Sequence, residues 1–294
     1  MKRKNGISIV MITFNRAKDL EKTIGILRTS NYICPMEILV VDQNSSDGTE
    51  EVCKRNSREF SNLKYYHLNE NLGVAGGRNF GASKASYEYL IFLDDDANFV
   101  DGNAFAQIYN LMNEESEYAL FAFQVKNLEG GYYNWPYGDE KKKKANEVFE
   151  GKFFIGCAHA IKASWFEQVG GYSSQLFFWG EETELVLKSI AHGGKGVYYD
   201  GSIIALHRVH GNGRVMDGDR FYYQVRNRMY LIKELYPRGI KVLFNIYYCI
   251  GYLLKALKHK WMQNLKKGIH DFRMMKCPEN CELTWKQFLV YMKL

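Results

Sequence analysis

The chain has 294 residues, of which 46% are hydrophobic and 24% are charged, and its formal net charge is +6 at pH 7. A chain of this length and apolar content can bury a full core, as one large domain or as a domain with an appendage, which excludes a largely disordered protein. Its six cysteines are scattered without a disulfide framework, and the apolar run behind its basic start is only one strand long. We therefore expect no signal peptide and a reducing, cytoplasmic setting.

The first half of the chain alternates strand patterns with helix patterns. Buried strands are predicted at Ile7–Thr13, Glu37–Val41, Leu63–Leu68 and Tyr89–Leu93, with a helix between each pair. Strands that alternate with helices imply right-handed crossovers and a parallel sheet with helices on both faces. A further helix near Asn103–Glu115 and a strand over Tyr118–Val125 extend the same α/β scheme.

Three carboxylates, Asp94, Asp95 and Asp96, directly follow the predicted strand that ends at Leu93. In open α/β sheets ligands bind at the carboxyl ends of the strands. Hard divalent ions such as Mg²⁺ and Mn²⁺ take few protein oxygens and keep coordination positions for phosphate. Two acids separated by one residue at a strand end therefore indicate a metal–diphosphate site. A solvated acidic turn is the alternative on these residues alone.

Four motifs, in order along the chain, carry a resemblance to a known family. They are Val10–Arg16 (VMITFNR), Val40–Thr49 (VVDQNSSDGT), Asn71–Asn79 (NLGVAGGRN) and Phe92–Asp96 (FLDDD). In sequence and spacing they resemble family 2 glycosyltransferases of the GT-A fold, over residues 7 to about 235. The resemblance implies a Rossmann-like, mostly parallel central sheet flanked by helices. Its nucleotide-binding part would span about 1–125 and its acceptor part about 126–235, followed by a basic amphipathic helical tail over 236–294.

The resemblance also implies roles for individual residues. Asp96 would coordinate Mn²⁺ or Mg²⁺ directly, and Asp94 would contact the metal or the ribose. The residues expected to contact the nucleotide sugar are Thr13, Asn15, Arg16, Asp42, Arg78, Asp94 and Asp95. Asp42 would accept a hydrogen bond from a pyrimidine ring, and Arg78 would set its guanidinium on the nucleotide or diphosphate. On the residues alone, Asp42 is equally consistent with a turn residue and Arg78 with a solvated helix charge.

A second acidic pair, Glu181 and Glu182, opens a helix predicted to continue to about His192. It resembles the acceptor-site helix of the same family, in which Asp commonly takes the second position. An inverting transfer needs one carboxylate near the acceptor hydroxyl, on the side opposite the leaving group. Glu182 is expected to be this general base, and Glu181 is the alternative. Acids that merely favour the positive end of the helix dipole would give the same pattern.

His207 matches the place at which family members can carry a histidine that completes the metal site, and it matches better than His210. Imidazole is a suitable extra ligand for Mn²⁺, although a lone histidine can also be structural. Trp179, and Trp135 in an aromatic segment before the four lysines at 141–144, are expected to bind the acceptor sugar. A solvated loop with incidental aromatic residues is the alternative for the segment around Trp135.

The C-terminal part of the chain is strongly basic. Between Arg238 and Lys276 there are nine basic residues and one acid, Asp271, and thirteen uncharged residues separate Lys241 from Lys255. An uncharged stretch of that length is shorter than the about 20 residues that span a bilayer. We therefore expect a basic amphipathic helix that lies on an anionic membrane surface, with a helix packed on the catalytic domain as the alternative.

Together these patterns predict a metal-dependent, inverting glycosyltransferase. It would move a sugar from a UDP- or dTDP-sugar to a hydroxyl of a glycan or lipid-linked acceptor in bacterial surface polysaccharide assembly, with no nucleic-acid partner. A sugar-nucleotide pyrophosphorylase shares the α/β scheme but carries a glycine-rich basic loop after its first strand, which Thr13–Arg16 lacks. A catalytically silent glycan-binding or scaffold protein is disfavoured because both acidic clusters are intact.

Overall fold

A computed structural model describes the protein over residues 3–133, 144–208, 216–276 and 281–294. Its strands are β1 (Lys4–Thr13), β2 (Met36–Asp42), β3 (Leu63–His67), β4 (Tyr87–Leu93), β5 (Ala97–Phe99), β6 (Leu120–Lys126), β7 (Val148–Gly151), β8 (Ala158–Lys162) and β9 (Val197–His207). Its helices are α1 (Ala17–Thr29), α2 (Thr49–Glu59), α3 (Gly73–Lys84), α4 (Ala104–Glu114), α5 (Ala163–Gln168), α6 (Glu181–Ala191), α7 (Asp217–Leu235), α8 (Arg238–His259), α9 (Met262–Met274) and α10 (Trp285–Lys293). Trp135, His210 and three of the four lysines lie outside the described residues, so the role expected for Trp135 stays a prediction.

The described strands form one sheet in the order β3-β2-β1-β4-β8-β6-β9-β5, with β7 beside β9. The half formed by β3, β2, β1 and β4 is parallel, as expected from its helical crossovers. In the other half β6 and β9 are parallel, whereas β8 is antiparallel to both β4 and β6. Parallel neighbours need a long crossover, usually a helix. The described residues between β6 and β8 contain only the short strand β7, which fits the change of direction.

The central strands are apolar on both faces, because helices cover the sheet on both sides. β2 is buried at all of its seven positions. In β1 the side chains alternate: Ile9 and Met11 belong to the core cluster that also holds Ile24 of α1. Val10 belongs to the opposite cluster, together with Ala82 of α3. The expected fold class, an α/β chain with a central sheet flanked by helices and with helices at its C-terminus, is confirmed.

The C-terminal helices pack on the rest of the chain. Leu283 and Phe288 belong to the same core cluster as the buried residues of α6. The Gln287 side-chain amide donates to the carbonyls of Ile190 and Ala191, both at 2.9 Å. Residues beyond 235 therefore help to cover the core, and removing them would expose it to water.

α8 corrects one expectation about the tail. The uncharged stretch alone was too short to span a bilayer, but the helix itself continues through Lys255 and has 22 residues. At about 33 Å it is long enough, and apolar enough, to cross a membrane by length and composition. A single helix of this kind is weak support for a span, because buried core helices pass the same test.

Candidate active site

A cleft of about 670 Å³ opens at the carboxyl ends of the central strands. Residues of the turn after β4, the start of α6 and the end of β9 line three sides of it. The predicted residues that line it are Thr13, Arg16, Arg78, Asp94, Asp95, Asp96, Trp179, Glu181, Glu182 and His207. Asn15 and Asp42 do not line it. The structure therefore brings both acidic clusters and the predicted histidine to one cavity, from positions far apart in the sequence.

Asp94, Asp96 and His207 form a candidate metal site. One ligand atom from each lies within 4.8 Å of the other two. β5 pairs with β9 so that Ala97 stands opposite His207, and this pairing brings the ring Nε2 to 3.0 Å from Asp96 Oδ1. Two carboxylate oxygens and one imidazole nitrogen are a donor set that Mn²⁺ accepts. The residues present therefore fit a divalent cation at this place.

Arg16 balances negative charge at the acidic turn. The Arg16 Nη1 atom lies 2.5 Å from Asp96 Oδ2 and 3.2 Å from Asp95 Oδ1. Burial raises the pKa of Asp95 to about 7, against the lowering effect of the Arg16 charge. Burial also acts to raise the pKa of Asp96, but hydrogen bonds and charges from His207 and Arg16 lower that pKa to about 2. Asp96 is thus the carboxylate that is held ionised, while Asp95 directs its side chain to Arg16.

Arg78 joins the two acidic clusters. Its side chain is buried, donates to Asp94 Oδ1 at 3.0 Å and to the carbonyl of Gly156 at 2.8 Å, and lies 3.6 Å from Glu181 Oε1. Among the described residues the Arg78 Nη1 atom has no hydrogen-bond acceptor. This atom faces Glu181 without a hydrogen bond to it, so it can donate to an anion that enters the cleft.

The loop before α6 aims the acidic pair into the cleft. Trp179 and Gly180 both have positive φ, 72° and 99°. This conformation costs free energy for a residue with a side chain, so the surroundings must hold it. The side-chain amide of Asn227 does so by donating to the carbonyls of Phe178 and Trp179, at 2.8 and 2.5 Å. The indole of Trp179 lies under the Arg228 guanidinium at 5.1 Å.

Glu181 and Glu182 differ in their surroundings. Glu181 is 4% exposed and faces Arg78, whereas Glu182 is partly open to the cleft. Burial raises the pKa of both carboxyls, and the charge of Glu182 raises the pKa of Glu181 further. The charge of Arg78 acts to lower both pKa values. A carboxylate with a raised pKa takes a proton more readily than an ordinary glutamate. The more open position of Glu182 favours it as the base.

Asn15 and Asp42 connect the turns that follow β1 and β2. Asp42 is fully buried and accepts hydrogen bonds from the Tyr65 hydroxyl at 2.8 Å and the Ser45 amide at 2.9 Å. Asn15 has φ of 54° and its Oδ1 accepts from the Ser46 amide at 2.7 Å. Both therefore shape the rim next to the cleft, and their contacts with a nucleotide stay predictions.

Gly156 is a site residue that the sequence interpretation missed. A Cβ atom at this position would stand 2.6 Å from Glu182 Oε1 and 3.1 Å from Arg78 Nη1. Backbone must therefore pass close to both side chains, and only glycine allows this. The only signal in the sequence is a single glycine shortly before β8, which is too common to identify a site. Gln43, Asn71, Phe177, Arg220 and Gln224 line the cleft as well, and the sequence interpretation gave them no role.

We expect Gly156→Ala to lower turnover by about 10- to 100-fold while the melting temperature changes little. The added methyl group would push the Glu182 carboxylate and the Arg78 guanidinium, which are ends of flexible side chains, out of place. Gly25→Ala is the matched control, since a Cβ there meets no atom of the described residues within 4 Å. Equal activity of the two variants, measured as product release, would show that this close approach has no catalytic role.

Comparison with known proteins identifies a glycosyltransferase family. A family model described as glycosyl transferase family 2 matches residues 8–170, more than half of the chain, and one described as N-terminal domain of galactosyltransferase matches 141–210. The chain is 38% identical over 98 residues to the GalNAc(5)-diNAcBac-PP-undecaprenol beta-1,3-glucosyltransferase of Campylobacter jejuni. This match covers 33% of this chain and 31% of the relative. It is 26% identical over 272 residues to glycosyltransferase GlyA of Streptococcus pneumoniae, and this match covers 90% of this chain and 34% of GlyA. The chain thus spans about a third of the length of these two relatives.

The fold is also shared with solved structures. The mannosyltransferase PcManGT from Pyrobaculum calidifontis, solved in complex with GDP-Man and Mn²⁺, superposes with a TM-score of 0.58 at 20% sequence identity. The match covers 76% of this chain and 61% of that one. At this identity the likeness shows the fold alone, and it confirms the GT-A architecture.

Proposed function

Because the chain belongs to glycosyl transferase family 2, we propose that it transfers a sugar, with inversion, from a nucleoside-diphosphate sugar to an acceptor hydroxyl. One observation carries this proposal. The candidate metal ligands Asp94, Asp96 and His207 share a single cleft with the acidic pair Glu181 and Glu182. A leaving diphosphate and an acceptor hydroxyl would need these two kinds of group on opposite sides of one reacting carbon.

In the proposed reaction the acceptor oxygen attacks the anomeric carbon while the bond from that carbon to the diphosphate breaks. Glu182 takes the proton of the acceptor hydroxyl, and the nucleoside diphosphate leaves with the bonding electrons. A divalent ion held by Asp94, Asp96 and His207 would stabilise the charge that grows on the diphosphate. The Nη1 atom of Arg78, which makes no hydrogen bond among the described residues, would donate to the same diphosphate, and such a fixed donor is worth more in a water-poor cleft than in bulk solvent.

The finer assignments are proposals as well. A UDP- or dTDP-sugar is proposed as the donor on the family resemblance of the turns that contain Asn15 and Asp42, which implies a pyrimidine base. Thr13 and Arg16 line the cleft next to these turns. A glycan or lipid-linked saccharide of bacterial surface polysaccharide assembly is proposed as the acceptor, with Trp179 beneath the sugar. The Campylobacter relative, whose name contains an undecaprenol-linked acceptor, supports this choice. A cytoplasmic location, where nucleotide sugars are made, is proposed with it.

Donor hydrolysis without acceptor tests the proposed function. The full chain is incubated with a panel of nucleotide sugars, with and without Mn²⁺, and the products are separated by anion exchange. Release of a nucleoside diphosphate that depends on Mn²⁺ would support the transferase. Pyrophosphate would point to a pyrophosphorylase, and no product from any donor that binds would point to a silent glycan-binding protein. Binding itself is read from the rise in melting temperature that a ligand of the native state causes.

The turnover number should fall on acidification with a midpoint above the ordinary range of a glutamate. Burial raises the pKa of Glu182 more than Arg78 lowers it, so the carboxylate takes up its proton at a higher pH than a free side chain would. A base is inactive once protonated, so activity is present above this pKa and lost below it. Initial rates of hydrolysis across a pH series measure the midpoint. A midpoint at the ordinary glutamate value would contradict the assigned base.

A further inference from the structure

One face of α8 is an exposed apolar surface. The residues that define this α8 apolar face are Val242, Leu243, Ile246, Ile250, Leu254 and Leu257, each more than half exposed to solvent. By helical geometry they fall within about 120° of the helix circumference. Contiguous exposed apolar surface of this kind marks an interaction site far more often than scattered apolar residues do.

The opposite face of α8 is held against the protein along its length. Near the start, the Phe244 ring packs on Tyr236 and Phe288, with ring centroids 5.1 and 5.6 Å apart. Near the end, the Tyr252 hydroxyl donates to the Gln224 carbonyl at 3.1 Å. A helix that spans a bilayer alone would lose all of these contacts. The packing therefore favours a helix that lies flat, with one face on the protein and the other facing outward.

Charged and aromatic residues at the ends of α8 fit a lipid surface. Lys258 and Lys260 are exposed beside the apolar face, and neither has an acidic partner among the described residues. Asp271, the one acid between Arg238 and Lys276, is already paired with Lys267 at 2.9 Å. At the other end Trp285 is 54% exposed and lies beside Gly239. Tryptophan is favoured where an apolar phase meets water.

From these observations we infer that the α8 apolar face binds the surface of an anionic lipid bilayer, with the helix axis in the membrane plane. The apolar side chains enter the boundary between headgroups and acyl chains, and the lysines lie at the level of the anionic headgroups. A second copy of the chain fits less well. A symmetric dimer through this face would bring the basic segments of both copies together, and like charges repel.

This surface is next to the cleft. Gln224 lines the cleft, and both its backbone carbonyl and its side chain contact α8, through the Tyr252 hydroxyl at 3.1 Å and Lys255 Nζ at 3.3 Å. Binding of α8 to a bilayer would therefore place the α7 side of the cleft near the headgroups. One consequence of this inference rests on the proposed function: a lipid-linked acceptor would reach the cleft without leaving the membrane.

Vesicle sedimentation of the full chain tests the inference. Vesicles of phosphatidylcholine alone are compared with vesicles of equal parts phosphatidylcholine and phosphatidylglycerol, at low and high salt. The first variant, Ile246→Gln with Ile250→Gln, removes exposed apolar surface and keeps good helix formers. Its matched control, Ile33→Gln with Val100→Gln, changes residues that are 58% and 62% exposed in loops elsewhere. The second variant, Lys258→Gln with Lys260→Gln, removes charge only.

We expect the unchanged chain and the control to sediment with anionic vesicles at low salt, and less at high salt. The first variant should lose at least about tenfold in partition, because two large apolar side chains no longer leave water. The second should lose less, and only with anionic vesicles. The inference is overturned if the unchanged chain does not sediment with anionic vesicles. It is also overturned if the unchanged chain forms a dimer without lipid and the first variant dissociates that dimer. Donor hydrolysis in lipid-free buffer is measured in parallel, so that failure here and failure of the proposed function are told apart.

Discussion

Glu182→Gln is expected to lower the turnover number by about 10² to 10⁴, with little change in donor affinity. Glutamine keeps the size and shape of the side chain but cannot accept the proton of the acceptor hydroxyl. The position of Glu182 beside Gly156, partly open to the cleft, makes it the carboxylate that an acceptor can reach. Steady-state rates and donor binding by calorimetry measure the two quantities separately.

Glu181→Gln is the matched comparison, because the two residues are neighbours on the same helix. Glu181 is buried against Arg78, so its loss should alter the electrostatics of the cleft more than the proton transfer. We expect this variant to retain turnover within about tenfold of the unchanged chain. The reverse pattern, with Glu181→Gln inactive and Glu182→Gln active, would assign the base to the other neighbour.

Asp96→Ala should abolish turnover and remove the effect of Mn²⁺ on donor binding. Its side chain contacts both His207 and Arg16, at 3.0 and 2.5 Å, so the variant loses one proposed ligand together with the partner that positions His207. The fold should survive, because the hydrogen bond from the Arg208 amide to this turn uses the Asp96 backbone carbonyl. Circular dichroism checks the fold, and calorimetric titration of donor with and without Mn²⁺ checks the site.

Chelation gives an independent control for the same prediction. Excess chelator should reduce the unchanged chain to the activity of Asp96→Ala, and added Mn²⁺ should restore only the unchanged chain. Full activity of the unchanged chain in excess chelator would contradict the assignment of Asp96, whatever the variant does.

The acidic turn could be predicted from the sequence, whereas the way that His207 reaches it could not. Asp94 to Asp96 follow an apolar run of strand length, and ligands bind at such strand ends. His207 reaches Asp96 because β5, a strand of three residues, pairs with β9. Three residues carry no periodic signal. The resemblance to the family supplied the histidine, and the structure supplies the reason for its position.

Arg78 and α8 show a second limit of the sequence. The sequence left Arg78 as a diphosphate contact or a surface charge, yet it is buried between Asp94 and Glu181, residues far from it in the chain. For α8, composition indicated an amphipathic helix without telling which face packs. The contacts of Phe244 and Tyr252 decide this, and such long-range contacts follow from the assembled fold alone.

The stereochemistry of donor hydrolysis tests the central claim most directly. The α-linked nucleotide sugar that gives the largest Mn²⁺-dependent rise in melting temperature is hydrolysed in the NMR tube, and the anomeric protons are followed before mutarotation equilibrates them. A single displacement assisted by Glu182 predicts that the β-anomer and the nucleoside diphosphate form first and together, with Glu182→Gln strongly slowed. Initial release of the α-anomer, or of pyrophosphate in place of the diphosphate, would contradict inverting glycosyl transfer at this cleft.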